Sequence, residues 1–173
     1  GGWRVWLSGA GYGRTDLTGF GGSGWQPAQS DYDGDGKADP AVYSDVSGSW
    51  VVLLSGAGYQ SASVADWGGS GQAAVPADYD GDGKVDPAVH GEDSGLWRVW
   101  LSGSLYGENG AAGWGGSGQA AVPADYDGDG KVDPAVYWES MGIWRLWLST
   151  YGYAEVNVLA PGGVGFKAIT FSE

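Results

Sequence analysis

Apolar and polar positions along the chain recur every 47 residues. Trp3, Trp50, Trp97 and Trp144 keep this step, as do Leu7, Leu54, Leu101 and Leu148, each followed by Ser, and Tyr12, Tyr59, Tyr106 and Tyr153. Acidic segments begin at Asp31, Asp78 and Asp125, again 47 apart. The step contains no insertion, so the repeat is one structural module. Inside the second full unit the pattern predicts four short strands: A over 72–77, B over 87–90, C over 97–102 and D around 106–112. The acidic loop 78–86 joins A to B, and a Trp-Gly-Gly-Ser-Gly turn at Trp114 leads into the next unit. Gly and Pro punctuate every window of a dozen residues, which excludes long helices and suits strands of five or six residues. The units run over approximately 1–24 (strands C and D), 25–71, 72–118 and 119–165, with a closing strand over 166–173.

Strand C predicts how the units pack. In Trp97-Arg98-Val99-Trp100-Leu101 one face carries Trp97, Val99 and Leu101 while the other carries Arg98 and Trp100. Large apolar residues on both faces require cover on both sides. Stacked four-stranded leaves of a β-propeller provide it, so the expected fold is an all-β propeller of about four units, with most tryptophans in the packing. A ring must close, because open sheet ends expose apolar faces. Four units could close alone, two chains could pair as a homo-oligomer, or the chain could belong to a longer propeller. Pro161, Phe166 and Lys167 depart from the repeat as terminal capping units do. That departure predicts a true C-terminus and an N-terminus cut within a unit.

Composition narrows the classes. The chain has 173 residues and a net charge of -13, with no Cys and one His. Disulfide scaffolds, thiolate metal sites and Cys nucleophiles are excluded. No stretch approaches the ~20 apolar residues of a membrane helix, and no basic-then-apolar leader opens the chain. An acidic surface disfavours nucleic acid, whose phosphates need basic partners. Twelve of the 21 acidic residues lie in the three loops. The charge is therefore a local property, and clustered carboxylates call for a cation.

Each loop reads Asp-Tyr-Asp-Gly-Asp-Gly-Lys-x-Asp. Carboxylates at positions 1, 3 and 5 are Asp31, Asp33 and Asp35, then Asp78, Asp80 and Asp82, then Asp125, Asp127 and Asp129. Curling of the loop would converge them on one point, with the position-7 carbonyls of Lys37, Lys84 and Lys131 adding an oxygen. Asp39, Asp86 and Asp133 at position 9 would close the shell. Hard oxygen donors in this number suit Ca²⁺, so three calcium sites are expected. A helix-loop-helix calcium hand needs an acid at position 12, where Val42, Val89 and Val136 stand. Pro40, Pro87 and Pro134 follow position 9, so this loop joins two strands. Low-affinity sites of this kind fit an extracellular setting.

These residues resemble the FG-GAP/VCBS-type calcium-binding β-propeller repeats. Phe20-Gly21-Gly22, Trp67-Gly68-Gly69 and Trp114-Gly115-Gly116 look like the aromatic-Gly half of the FG-GAP signature, and the Asp loops match its calcium segment. Pro87-Ala88-Val89 stands in the region of the Gly-Ala-Pro half. The resemblance implies a secreted or cell-surface protein acting in adhesion, as a lectin or as an accessory domain, with no shared catalytic residues. The B–C loops differ most between units, and variable loops on a rigid scaffold suit recognition. Trp67, Trp114 and Trp138 are candidates for stacking on sugar faces, with Asp93 or Glu139 taking hydroxyls; the competing reading has Trp67 and Trp114 capping unit interfaces. A glycan or a surface protein is the expected partner of a non-catalytic binding module. A structural or assembly role without a small ligand, and less readily a carbohydrate-active enzyme, are the alternatives. His90 replaces Tyr43 and Tyr137 in strand B and reads as a core substitution.

Overall fold

The computed structural model describes residues 1–64 and 66–159. The closing strand expected over 166–173 lies outside them. The fold is all-β. Strands β1 (Gly2–Leu7) and β2 (Gly13–Thr18) form a two-stranded sheet. Three four-stranded antiparallel sheets follow. The first comprises β3 (Gln26–Pro27), β4 (Ala41–Ser44), β5 (Ser49–Leu54) and β6 (Gln60–Val64); the second β7 (Gln72–Ala74), β8 (Ala88–Gly91), β9 (Trp97–Leu101) and β10 (Gly107–Ala111). The third comprises β11 (Gln119–Ala121), β12 (Ala135–Trp138), β13 (Ile143–Leu148) and β14 (Ala154–Leu159). Each pairs its strands in chain order, so the A-B-C-D reading of the repeat stands.

Strand A is shorter than its sequence suggests. Val75 N still donates to the Ala88 carbonyl, and Ala77 bridges Asp86 at the neck of the acidic loop. Between them Pro76 has no N–H to offer the ladder. Pro87 has no N–H either, but its carbonyl accepts Trp100 N, so strands B and C remain joined beside it.

Strand B is the most deeply set element: all four residues of β4 and of β8 are buried. Consecutive sheets share cores. Tyr32, Tyr43, Trp50, Val52 and Trp67 of the first full unit pack with Val89 and Trp100 of the second. Tyr79, Trp97 and Val99 of the second pack in the same way with Val136 and Trp147 of the third. Trp50 and Trp97 are 2% and 1% exposed. Trp147 is equally buried at 2%, and truncating any of these rings costs roughly 3 kcal/mol or more.

The D–A turn lies against strand B. The Tyr43 hydroxyl accepts from Gly69 N at 2.9 Å, and a Cβ on Gly68 would meet it at 2.5 Å. Glycine is obligatory there, since its φ of +109° is also closed to side chains. In the second sheet His90 fills the tyrosine position. It is buried, and its Nε2 has no hydrogen-bond partner among the described residues. Burial pushes its pKa below the ordinary 6.5. The unfolded chain therefore gains a proton near pH 6.5 that the folded chain refuses. Stability is full above that pH and declines as pH falls through it.

His90→Tyr is predicted to restore a hydroxyl opposite the Gly116 amide and raise stability by about 1 kcal/mol. Thermal melts from pH 7.5 to 5 should show a steeper decline for the native chain than for the variant. Parallel curves would refute the assignment.

Candidate metal centre

Each acidic loop starts and ends on the A–B neck, closed by the Ser30–Asp39, Ala77–Asp86 and Ala124–Asp133 bridges. The tyrosine at position 2 anchors it: the Tyr32, Tyr79 and Tyr126 hydroxyls donate to the carbonyls of Ala28, Val75 and Val122 at 2.6, 2.8 and 2.7 Å. The turn that follows is drawn around the position-1 carboxylate. Asp31 accepts Gly34 N and Gly36 N, Asp78 accepts Gly81 N and Gly83 N, and Asp125 accepts Gly128 N and Gly130 N.

The position-9 aspartates are fully buried. Asp39 accepts Tyr32 N at 2.9 Å and Ser55 N at 2.7 Å. Asp86 accepts Tyr79 N at 2.9 Å and Ser102 N at 2.7 Å. Asp133 accepts Tyr126 N at 3.0 Å and Ser149 N at 2.8 Å. Burial raises the Asp86 pKa above the usual carboxylate value, opposed by the Ser102 and Tyr79 amides. The position-3 carboxylates also reach the C–D turn, where Asp33 accepts Gly56 N, Asp80 Gly103 N and Asp127 Thr150 N. The acidic loop and the C–D turn thus share one end of every full unit. The B–C loop meets the D–A turn at the other, as in Trp67 N to the Gly48 carbonyl and Trp114 N to that of Gly95.

Three clusters result: Asp31, Asp33 and Asp39; Asp78, Asp80 and Asp86; Asp125, Asp127 and Asp133. In each, one oxygen per residue lies within 4.8 Å of the others, and the cluster can hold a metal ion. Asp35, Asp82 and Asp129 at position 5 are not members of these groups. They face the Lys amides instead, at 2.9 Å from Lys37 N, Lys84 N and Lys131 N. Their second oxygens take Lys37 Nζ, Ser102 Oγ and Ser149 Oγ. The Lys37 ammonium holds the Asp35 carboxyl below its usual range, and the Ser149 hydroxyl does the same for Asp129. The third cluster bears on the fit, for Asp127 Oδ1 is buried with no partner among the described residues. An anionic oxygen sequestered among two further carboxylates fits a hard cation.

The other candidates separate. Trp67 is 3% exposed and belongs to the packing between sheets. Its ring meets Trp100 at 4.6 Å and Trp50 at 6.1 Å, the Arg98 guanidinium lies 5.3 Å from its centroid, and its Nε1 donates to Glu108. No face is left for a sugar, so the interface reading replaces the stacking one. Half-buried Trp114 stacks on Trp147 at 5.0 Å and 15°. Trp138 ends β12 half-buried, while Asp93 and Glu139 are exposed in the B–C turns.

Sequence reading located the C–D turn but not its backbone strain. Its second left-handed residue is a tyrosine in every unit: Tyr12, Tyr59, Tyr106 and Tyr153 at φ 59–64°. These rings are 71%, 52%, 52% and 41% exposed. A bulky residue in that region costs about 1 kcal/mol or more. The 47-residue step of the tyrosines was the available signal; their backbone conformation was not.

No protein-family model, curated protein or solved structure matches this chain.

Replacing a position-9 carboxylate strands two amides whether or not metal is present. Asp86→Ala is predicted to cost about 3 kcal/mol in urea unfolding with chelator. A loss below 0.5 kcal/mol would show the amides to be satisfied otherwise.

Proposed function

We propose that the chain is a calcium-stabilised β-propeller segment acting as a non-catalytic, extracellular glycan-binding module. The observation that carries the binding role is a cleft that recurs between successive sheets. Between the first and second full sheets it holds about 450 Å³. Trp50, Trp100 and Tyr106 line it together with Asp33, Ser63 and Lys84. Between the second and third it recurs at about 260 Å³, with Trp97 for Trp50 and Tyr153 for Tyr106. Trp50 and Trp97, 2% and 1% exposed, only back the clefts; half-buried Trp100 and Trp114 with exposed Tyr106 and Tyr153 offer the aromatic surface that suits a pyranose ring. Of the residues first considered for stacking, Trp114 lines the second cleft. Asp93, Trp138 and Glu139 line neither cleft.

The propeller reading draws on burial. Tyr32 and Tyr79, covered by a following sheet, are 5% and 4% exposed, whereas Tyr126 of the third sheet is 38% exposed. Each leaf needs a neighbour, as radial stacking supplies. The same exposure, with Trp6 at 55% and Val158 at 43%, favours self-association as a second reading. Solution mass with and without calcium separates a lone segment from a homo-oligomer. Calcium is the preferred ion because the donors are carboxylates brought together without His or Cys. The chain's own residues hold the ion through positions 1, 3 and 9. The ion's contribution is charge neutralisation and loop rigidity.

Chelation is predicted to lower the melting temperature by about 10 °C when free calcium stands roughly tenfold above its dissociation constant, because three sites stabilise only the folded form. An unchanged melt would sink the metal assignment. For the clefts, a glycan array followed by calorimetric titration of a hit tests recognition. Tyr106→Gly should relieve the left-handed strain by about 1 kcal/mol, raising stability, while weakening saccharide binding at least about tenfold. Absence of any saccharide binding by the calcium-loaded chain would overturn the glycan reading.

A further inference from the structure

The acidic loops are not independent. Val85 N, one residue before the buried Asp86, donates to the carbonyl of Asp31 in the preceding loop at 2.8 Å. Val132 N donates to the carbonyl of Asp78 at the same 2.8 Å. A second link repeats beside the first. The Lys84 stem lies over Gly34, its Cγ 3.1 Å from where a Cβ would stand, and Lys131 lies over Gly81 at 3.0 Å. Both glycines have φ of +78°. Each junction thus ties the first metal-cluster residue of one loop to the residue beside the last metal-cluster residue of the next.

We infer that Lys84 and Val85, with Lys131 and Val132, are positioning residues for the preceding loop's cation site, so that the three loops load cooperatively. The inference rests on the calcium reading above. Asp31 presents both a side chain to its own cluster and a carbonyl to its neighbour. Fixing Asp86 around an ion fixes the Val85 amide, and that amide holds the Asp31 backbone in place. The ordering cost of the first loop is then partly met by loading of the second. The middle loop both gives and receives such a link. Coupling of this kind is reciprocal: whatever factor loop three confers on loop two, loop two confers on loop three.

Each loop carries its own reporter. The amides of Gly36, Gly83 and Gly130 donate to the position-1 carboxylates of their respective loops. Titrating the ¹⁵N-labelled chain with calcium alone and following these three amides by NMR gives site-resolved loading. Asp127→Asn weakens loop three while leaving the buried Asp133 in place. The Gly83 midpoint should then move to higher calcium by about fivefold or more, with a smaller shift at Gly36. Asp80→Asn should shift Gly130 by a matching factor. Lys131→Ala should also weaken loading at Gly83, and Lys131→Met, which keeps the stem, should restore it. A Gly83 midpoint unmoved by Asp127→Asn, with Gly130 weakened, would overturn the coupling and leave the calcium sites standing. No calcium-dependent shift at any of the three amides would overturn the sites and the coupling together.

Discussion

A buried carboxylate must have its charge answered, and in this chain that demand shapes each unit. Asp39, Asp86 and Asp133 are completely withdrawn from water. Each spends its two oxygens on backbone amides from different segments, one in its own loop and one after strand C. The acidic loop is thereby fastened to the C–D turn, although the two are separated by the whole of strands B and C. Two further carboxylates stand within 4.8 Å. At an effective dielectric of ~20 each such pair repels by about 3 kcal/mol. Amides offset part of this, and each cluster is one that could hold a metal ion.

Much of the architecture was legible because the repeat is strict. A single unit gives an ambiguous pattern, but four tryptophans, four leucines and four tyrosines in register fix where strand C and the C–D turn lie. Strand order followed from short connections, and the two-sided apolar character of Trp97 to Leu101 foretold sheets covered on both faces. The loop residues were legible as a set; their division of labour was not. Position 5 is as acidic as positions 1 and 3, yet it serves the Lys amide and, by unit, a lysine or serine side chain. Sequence names a donor's type but not which backbone amide reaches it first. The same blindness hid the Val85 and Val132 links, since every residue but proline carries an amide.

Tryptophan was the other ambiguous class. Trp67 precedes Gly-Gly in a turn and could equally have been presented to solvent. What decides is the neighbouring unit: Trp100 and Arg98 of the next sheet close over its ring, and Glu108 takes its indole N–H. The first full sheet has Leu53 where the next has Trp100, and Val51 where it has Arg98. Such substitutions at one junction leave the loops untouched. The units thus conserve the acidic scaffold among themselves while the lateral contacts vary.

That separation bears on how recognition could arise on a repeated frame. The tyrosines of the C–D turn occupy strained backbone that glycine would fill without cost, and all four are at least 41% exposed. Tyr153 meets Trp114 at 6.0 Å, yet much of each ring is left to solvent while the strained backbone taxes folding. The strain persists in every unit, and two of the tyrosines, Tyr106 and Tyr153, line the clefts between sheets. Because the same turn supplies the amides that answer Asp39, Asp86 and Asp133, the posture of each tyrosine is tied to the state of its acidic loop. The acidic cluster and the tyrosine then share one mechanical element, the C–D turn, so displacement of the buried carboxylate would be felt at the ring.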